Sequence, residues 1–210
     1  MPTLVVIRQE THGWSDVVII VWRRSLLLFG MLIALGAGHA AGKECLGVNF
    51  PEQAQADGST LKLNGLGVRK ATLLKINVYV AALYVANPSS DPNAILGSKA
   101  PIKLILHFVR DVDAADISNG FDEGFAKSAK GQLPALQQRI ATLEGWMPDL
   151  RTGQQMTFTS RPGVGVQVNV SGTEKGTVSG DDFAKAFLSI WLGNPPNPEI
   201  KAGLLGGACA

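Results

Sequence analysis

The chain has 210 residues, a formal net charge of +2, and 17% charged against 46% hydrophobic residues, a balance that fits one sizeable globular domain and excludes a disordered chain. Its lysines and arginines are scattered among acidic residues, with no basic run and no zinc-finger or RNA-binding pattern, so no nucleic-acid partner is expected.

The N-terminal residues differ in kind from the rest. Residues 21–40, VWRRSLLLFGMLIALGAGHA, have the three parts of a secretory signal: Arg23 and Arg24 as a basic start, an apolar stretch from Leu26 to Leu35, and small residues at Gly38 and Ala40. Cleavage is expected after Ala40 or Ala41, which would place the mature chain in the periplasm or outside the cell. The apolar stretch is shorter than the roughly 20 residues that cross a bilayer. A longer anchor reaching back to Val17 would have to contain both arginines. No stable membrane span is therefore expected once the signal is removed. Residues 1–20, with Arg8, Glu10, His12 and Asp16, are an odd leader and read as a mis-assigned extension, with translation starting near Val21. A single domain is expected over residues 41–210.

Cys45 and Cys209 stand near the two ends of that domain. In an oxidising compartment they could form a disulfide; the alternative is two unpaired thiols. The charged pair Lys43 and Glu44 just before Cys45 speaks against a lipid-modified cysteine. His107 is the only histidine beyond the signal, too few ligands for a zinc site, and no metal or cofactor is expected.

A short strand is predicted over residues 46–50, followed by a tight turn at Asp57-Gly58. The longest β-favouring run comes next, residues 63–86, LNGLGVRKATLLKINVYVAALYVA. Gly65 and Gly67 predict a bulge or a close backbone approach. Arg69 demands a partner, because an unpaired buried guanidinium is costly. A bound carboxylate is one natural partner, and a core carboxylate or backbone carbonyls are the other. From Ile76 onward both alternating faces are apolar, which predicts a central strand covered on both sides. Tyr79 and Tyr84, the only tyrosines, fall on opposite faces of it.

Asp91-Pro92 predicts the cap and first turn of a short helix ending at Gly97. Residues 99–110 read as a strand, with His107 on its mixed face and no acid or nucleophile at a recognisable spacing. Asp113 is predicted to cap a helix whose stripe is Ile117, Phe121, Phe125 and Ala129; Leu133, Leu136, Ile140, Leu143 and Trp146 form a second stripe. These aromatics read as core, with a share free to line a cavity. Strands over 154–160, 164–170 and 173–178 should form a meander, and Ser179 should cap a last main helix with Phe183, Phe187, Ile190 and Trp191 facing inward. The nucleophile elbow and the phosphate-binding loop are both missing, and the cluster Asp111, Asp113, Asp116 is explained by a helix N-terminus.

In order and spacing, LNGLGVRK, KINVYVAALYV, GFDEGF, IWLG and LLG resemble the chalcone isomerase family, specifically its bacterial secreted branch, over nearly the whole chain after the signal. The resemblance implies an α+β fold: an open-faced β-sandwich with a large antiparallel sheet, helices packed on one face, and a ligand cleft between. It implies that Arg69 occupies the place of the arginine that binds and polarises substrate in the plant enzymes. Tyr79 matches a threonine of those enzymes if two residues are deleted, and the downstream tyrosine they use has no counterpart here. Fatty-acid-binding members instead hold a carboxylate with an arginine and a tyrosine, and Arg69 with Tyr79 looks like that pair. The expected function is an exported, non-enzymatic binding protein for a fatty acid or similar apolar carboxylate. The alternatives are an isomerase or lyase acting on a flavonoid-like phenolic, and an envelope structural protein whose cleft is filled by its own side chains.

Overall fold

The computed structural model describes residues 42–209 except 72, 73 and 130. The expected extension and signal, residues 1–20 and 21–40, lie outside the described residues. The elements are β1 (Gly42–Cys45), β2 (Val48–Pro51), β3 (Gln53–Ala56), β4 (Ser59–Ala71), β5 (Ile76–Val85), α1 (Pro92–Leu96), β6 (Ile102–Phe108), α2 (Ala114–Ser128), α3 (Leu133–Glu144), β7 (Gln155–Arg161), β8 (Gly165–Val170), β9 (Thr173–Ser179), α4 (Asp181–Leu192) and α5 (Pro198–Leu204). Strands β3 to β9 form one antiparallel sheet of seven, each pairing with its neighbour in sequence, while β1 and β2 form a separate hairpin. No helix among the described residues is long and apolar enough to cross a membrane.

Alternation along the strands separates two cores. On one face Ala81, Leu83 and Val85 of β5 and Leu104, Leu106 and Phe108 of β6 pack with Phe121 and Phe125 of α2 and Phe183 and Phe187 of α4. On the other, Leu61, Leu63, Val80, Ala82 and Tyr84 pack with Cys45 and Phe50 of the hairpin. Strand β5 is thus buried on both faces, as its two apolar rows require, and each fully buried Leu or Phe contributes about 1.5–3 kcal/mol. All the helical residues of these cores lie on the first face. The fold is the expected α+β arrangement, with a large antiparallel sheet and helices against one side of it.

Three local readings differ from the structure. The strand predicted over 46–50 is the second half of a hairpin, because Leu46 and Gly47 both take positive φ and turn the chain between β1 and β2. Asp113 makes no side-chain cap; the first amide of α2, Ala114 N, is instead accepted by Asp149 Oδ1 at 2.9 Å. Gly180, at φ 104°, takes the cap position of α4 that was expected of Ser179. The turn at Asp57-Gly58 forms as predicted, both residues having positive φ between β3 and β4.

The glycines of β4 do what their pattern foretold. The ladder slips by one residue between Leu63 and Gly65, leaving Asn64 in a bulge. A Cβ on Gly65 would strike the carbonyls of Gly203 and Leu204, and one on Gly67 the carbonyl of Ile200. Helix α5 therefore lies with its backbone directly on β4, a separation only glycine permits. Two asparagines bracket this contact. At one end Asn64 Nδ2 donates to Leu204 O at 2.7 Å; at the other Asn197 Nδ2 donates to Val68 O at 3.0 Å. Beyond α5 the chain is joined covalently to the hairpin by a disulfide between Cys209 and Cys45, whose Cα atoms are 5.9 Å apart.

Candidate functional site

A cleft of about 700 Å³ opens between the sheet and the helices. Its apolar walls are Leu106, Phe108 and Met156 from the sheet and Ile117 and Phe121 from α2, while Asp116 and Glu123 of α2 also border it. Arg69 and Tyr79 both line it. They stand directly opposite each other across the β4–β5 ladder, where side chains share a face with Cβ atoms about 5 Å apart. The two residues picked from sequence are thus neighbours, and a cavity lies beside them.

The hydrogen bonds at this end divide Arg69 into a used edge and an open one. Its Nη1 donates to the carbonyl of Lys70 and, at 3.2 Å, to Asn197 Oδ1. Both Nη1 hydrogens are thereby spent within the protein. Nε and Nη2 donate to no acceptor among the described residues, and Arg69 belongs to none of the ion pairs found there, which are Arg139–Asp182, Arg151–Asp111 and Arg161–Asp57. A guanidinium edge of two parallel N–H groups is the geometry that grips a carboxylate with two hydrogen bonds. The core carboxylate that sequence left open as a partner for Arg69 is not there, whereas the backbone carbonyl is. Arg69 is tethered structurally on one side and open on the other.

Tyr79 is fixed from two directions. Its ring lies 5.5 Å from that of Phe108, and its hydroxyl oxygen accepts a hydrogen bond from Trp191 Nε1 at 2.9 Å. Burial pushes the phenol above its usual range, an effect larger than the opposing influence of Trp191 and of nearby Arg69, so the hydroxyl stays neutral and keeps its proton. Trp191 is itself 3% exposed and set against Phe187 at a ring distance of 5.1 Å. From sequence, Trp191 is expected only as an inward-facing aromatic of the last main helix, and Asn197 is not singled out. Nothing in their spacing marks them, because each reaches the site from an element more than a hundred residues beyond β5.

Of the other residues weighed from sequence, Tyr84 and His107 fall outside the cleft, while Asp111, Asp113 and Asp116 border it. Tyr84 is fully buried on the hairpin face, its hydroxyl donates to Pro51 O at 3.0 Å, and burial pushes it up to about 12. His107 lies on the same far face, where Gln155 Nε2 meets its Nδ1 at 2.9 Å, Phe50 stands edge-on at 6.3 Å, and burial lowers its imidazole. Asp111 is engaged by Thr152 N at 2.8 Å and Arg151 Nη1 at 3.0 Å, which hold its carboxyl below the usual range. Of the predicted aromatic stripes, Phe125, Phe183 and Phe187 are core, and Phe121 and Trp191 reach the cleft.

A family model described as chalcone isomerase-like matches residues 42–206. Among solved structures, a fatty-acid binding protein of Arabidopsis thaliana superposes with a TM-score of 0.61 at 18% identity, covering 76% of this chain and 92% of that one. No curated protein matches the chain.

Proposed function

The chain belongs to the chalcone isomerase-like family, and from that premise we propose that it is an exported, non-enzymatic protein that binds a fatty acid or a similar apolar carboxylate. One observation carries the proposal: Arg69, whose Nε and Nη2 meet no acceptor among the described residues, and Tyr79 stand opposite each other and both line a cleft of about 700 Å³ that has an apolar wall of Leu, Ile, Phe and Met and an acidic border of Asp111, Asp113, Asp116 and Glu123. A carboxylate head would take the donors and an alkyl tail would take the Leu, Phe and Met surface, the usual division of labour in a small-molecule site. The Arabidopsis thaliana neighbour, a fatty-acid binding protein by its own description, supports this reading. A cleft beside Arg69 also removes the main support for a purely structural role. Export rests on the signal pattern of residues 21–40; a purified mature chain beginning at Ala41 or Gly42 is the expected result of N-terminal sequencing, and an intact residue 1–20 peptide would overturn the mis-assigned extension.

The test is titration of delipidated protein with saturated fatty acids of increasing length. Binding is expected in the micromolar range or tighter, weakened at least about tenfold in Arg69→Ala, since a charge-assisted hydrogen bond is worth about 1.5–3 kcal/mol. Binding that Arg69→Ala leaves unchanged would sink the assignment of the anchor. No binding at any length, together with turnover of a chalcone to its flavanone well above the spontaneous rate, would replace the function by an isomerase.

A further inference from the structure

We infer that Trp191 and Asn197 are positioning residues that leave Arg69 and Tyr79 a donor-only pair at the cleft wall, so that this pair selects an ionised carboxylate over an alcohol, amine or amide of the same chain length. The inference rests on the proposed binding function and specifies the chemical class of the head group.

The argument is an inventory of protons. An indole N–H can only donate, so the 2.9 Å contact from Trp191 Nε1 obliges the Tyr79 oxygen to accept. The single phenolic hydrogen of Tyr79 cannot lie along that contact, and it meets no acceptor among the described residues. It remains for whatever occupies the cleft. Arg69 has no acceptor atom at all, and its remaining donors are Nε and Nη2. Asn197 could have contributed an acceptor or a donor of its own, but its amide is committed in both directions: Nδ2 to Val68 O at 3.0 Å, and Oδ1 to Arg69 at 3.2 Å and Lys70 N at 3.4 Å. Turning that amide over would set its oxygen against a carbonyl and its NH2 against two donors, so the orientation is fixed by its partners. Between them, Arg69, Tyr79 and Asn197 therefore offer four hydrogens and no free lone pair.

A carboxylate brings only lone pairs and satisfies such a surface. An alcohol or a primary amide brings at least one hydrogen that finds no acceptor, and an orphaned donor in a desolvated site costs far more than a missing attraction. Trp191 is the residue that sets this bias. Without its N–H, the Tyr79 oxygen regains a lone pair with which to accept from the ligand, and its hydroxyl can rotate to suit either kind of head. The rigidity this needs is present, because the indole is buried against Phe187 and the phenol packs at a tilt against Phe108.

The experiment compares dodecanoic acid with dodecanol, a pair sharing one tail, in wild type, Trp191→Phe and Tyr79→Phe by calorimetric or fluorescence titration at pH 8. The quantity read is the ratio of the two affinities, from which any loss of tail packing in a variant cancels. The wild type should prefer the acid by about a hundredfold, and Trp191→Phe should narrow that preference by about tenfold, mainly by improving alcohol binding relative to acid. Tyr79→Phe should narrow it as well, here by weakening the acid. A ratio in Trp191→Phe within twofold of wild type, with both ligands bound, overturns the inference while leaving the binding function standing. Binding of neither ligand to the wild type overturns both. Should Trp191→Phe fail to fold, an unchanged ratio in Tyr79→Phe is the overturning result, since Tyr79 is the atom through which Trp191 acts.

Discussion

Tyr84 and Tyr79 lie five residues apart on β5 and point to opposite faces of the same sheet, and their hydroxyls are treated in opposite ways. Tyr84 donates to the Pro51 carbonyl inside the hairpin core, and its hydroxyl is satisfied by the backbone. Tyr79 receives a hydrogen bond from Trp191 and has its own hydrogen left over at the wall of a cleft. Arg69 repeats the pattern with one edge tethered and one edge open. On the hairpin face the Tyr84 hydroxyl is closed by the backbone, and on the helix face the donors of Tyr79 and Arg69 are left open where the cavity lies. A fold that spends so many partners on holding Arg69 and Tyr79, yet leaves their outward donors unspent, has the physical form of a binding site.

The contrast can be broken or sharpened by substitution. The largest effect is expected from Cys45→Ser with Cys209→Ser, because the bond closes a loop of 164 residues between the hairpin and the segment after α5. Its loss should lower stability by about 3–5 kcal/mol in denaturant melts. Affinity for a fatty acid should stay within about twofold of wild type, since neither sulfur touches the cleft. Tyr84→Phe, which leaves the Pro51 carbonyl without its donor, should cost about 1–2 kcal/mol of stability and no affinity. Tyr79→Phe, which leaves the buried Trp191 Nε1–H without its acceptor, should cost a similar amount of stability but in addition about tenfold in affinity for the acid. Equal effects of the two tyrosine variants on binding would abolish the distinction between the faces.

The smallest effect concerns the helix layer itself. Glu144, at the end of α3, has its carboxyl pushed up to about 7, first by burial and then by the neighbouring Asp122 carboxylate of α2, and its Oε1 is buried with no hydrogen-bond partner. A raised carboxyl favours the neutral form in the folded state. Its stabilising contribution is therefore complete below the ordinary carboxylate range and disappears as pH rises through about 7. Glu144→Gln should match wild type in thermal unfolding at pH 5 and melt at a higher temperature at pH 8. The gain should be no more than about 1 kcal/mol, because the site is only partly buried and nearby solvent screens the repulsion. A gap that does not widen with pH would remove Glu144 as its cause.

Much of this was legible in the chain. The two apolar rows of β5 announced a strand buried on both faces, and Gly65 and Gly67 announced a close approach, because these features depend on local spacing. Arg69 stood out for the same reason, as a charge in an apolar run, and Tyr79 followed from being one of two tyrosines. What the sequence hid was everything that arrives from far along the chain. Asn197 and Trp191 are an ordinary asparagine in a proline-rich link and an ordinary tryptophan on a helix; only the fold brings them to β4 and β5. The caps of α2 and α4 were missed for a related reason. Asp149 reaches the first helix from a loop 35 residues away, and Gly180 caps by its backbone angle alone.

The lodging of α5 on the glycines of β4 has a consequence for the order in which the protein becomes competent. Every strand of the sheet and every other helix around the cleft precedes α5 in the chain, so the sheet can pair while Asn197, and the Ile200 and Leu204 that complete the helix-side core, are still absent. Arg69 would then keep its bond to the neighbouring Lys70 carbonyl and lack the one to Asn197. Competence to recognise a head group should lag behind sheet pairing during synthesis and refolding, and a chain cut just before Asn197 would lack both a tether of Arg69 and part of the helix-side core.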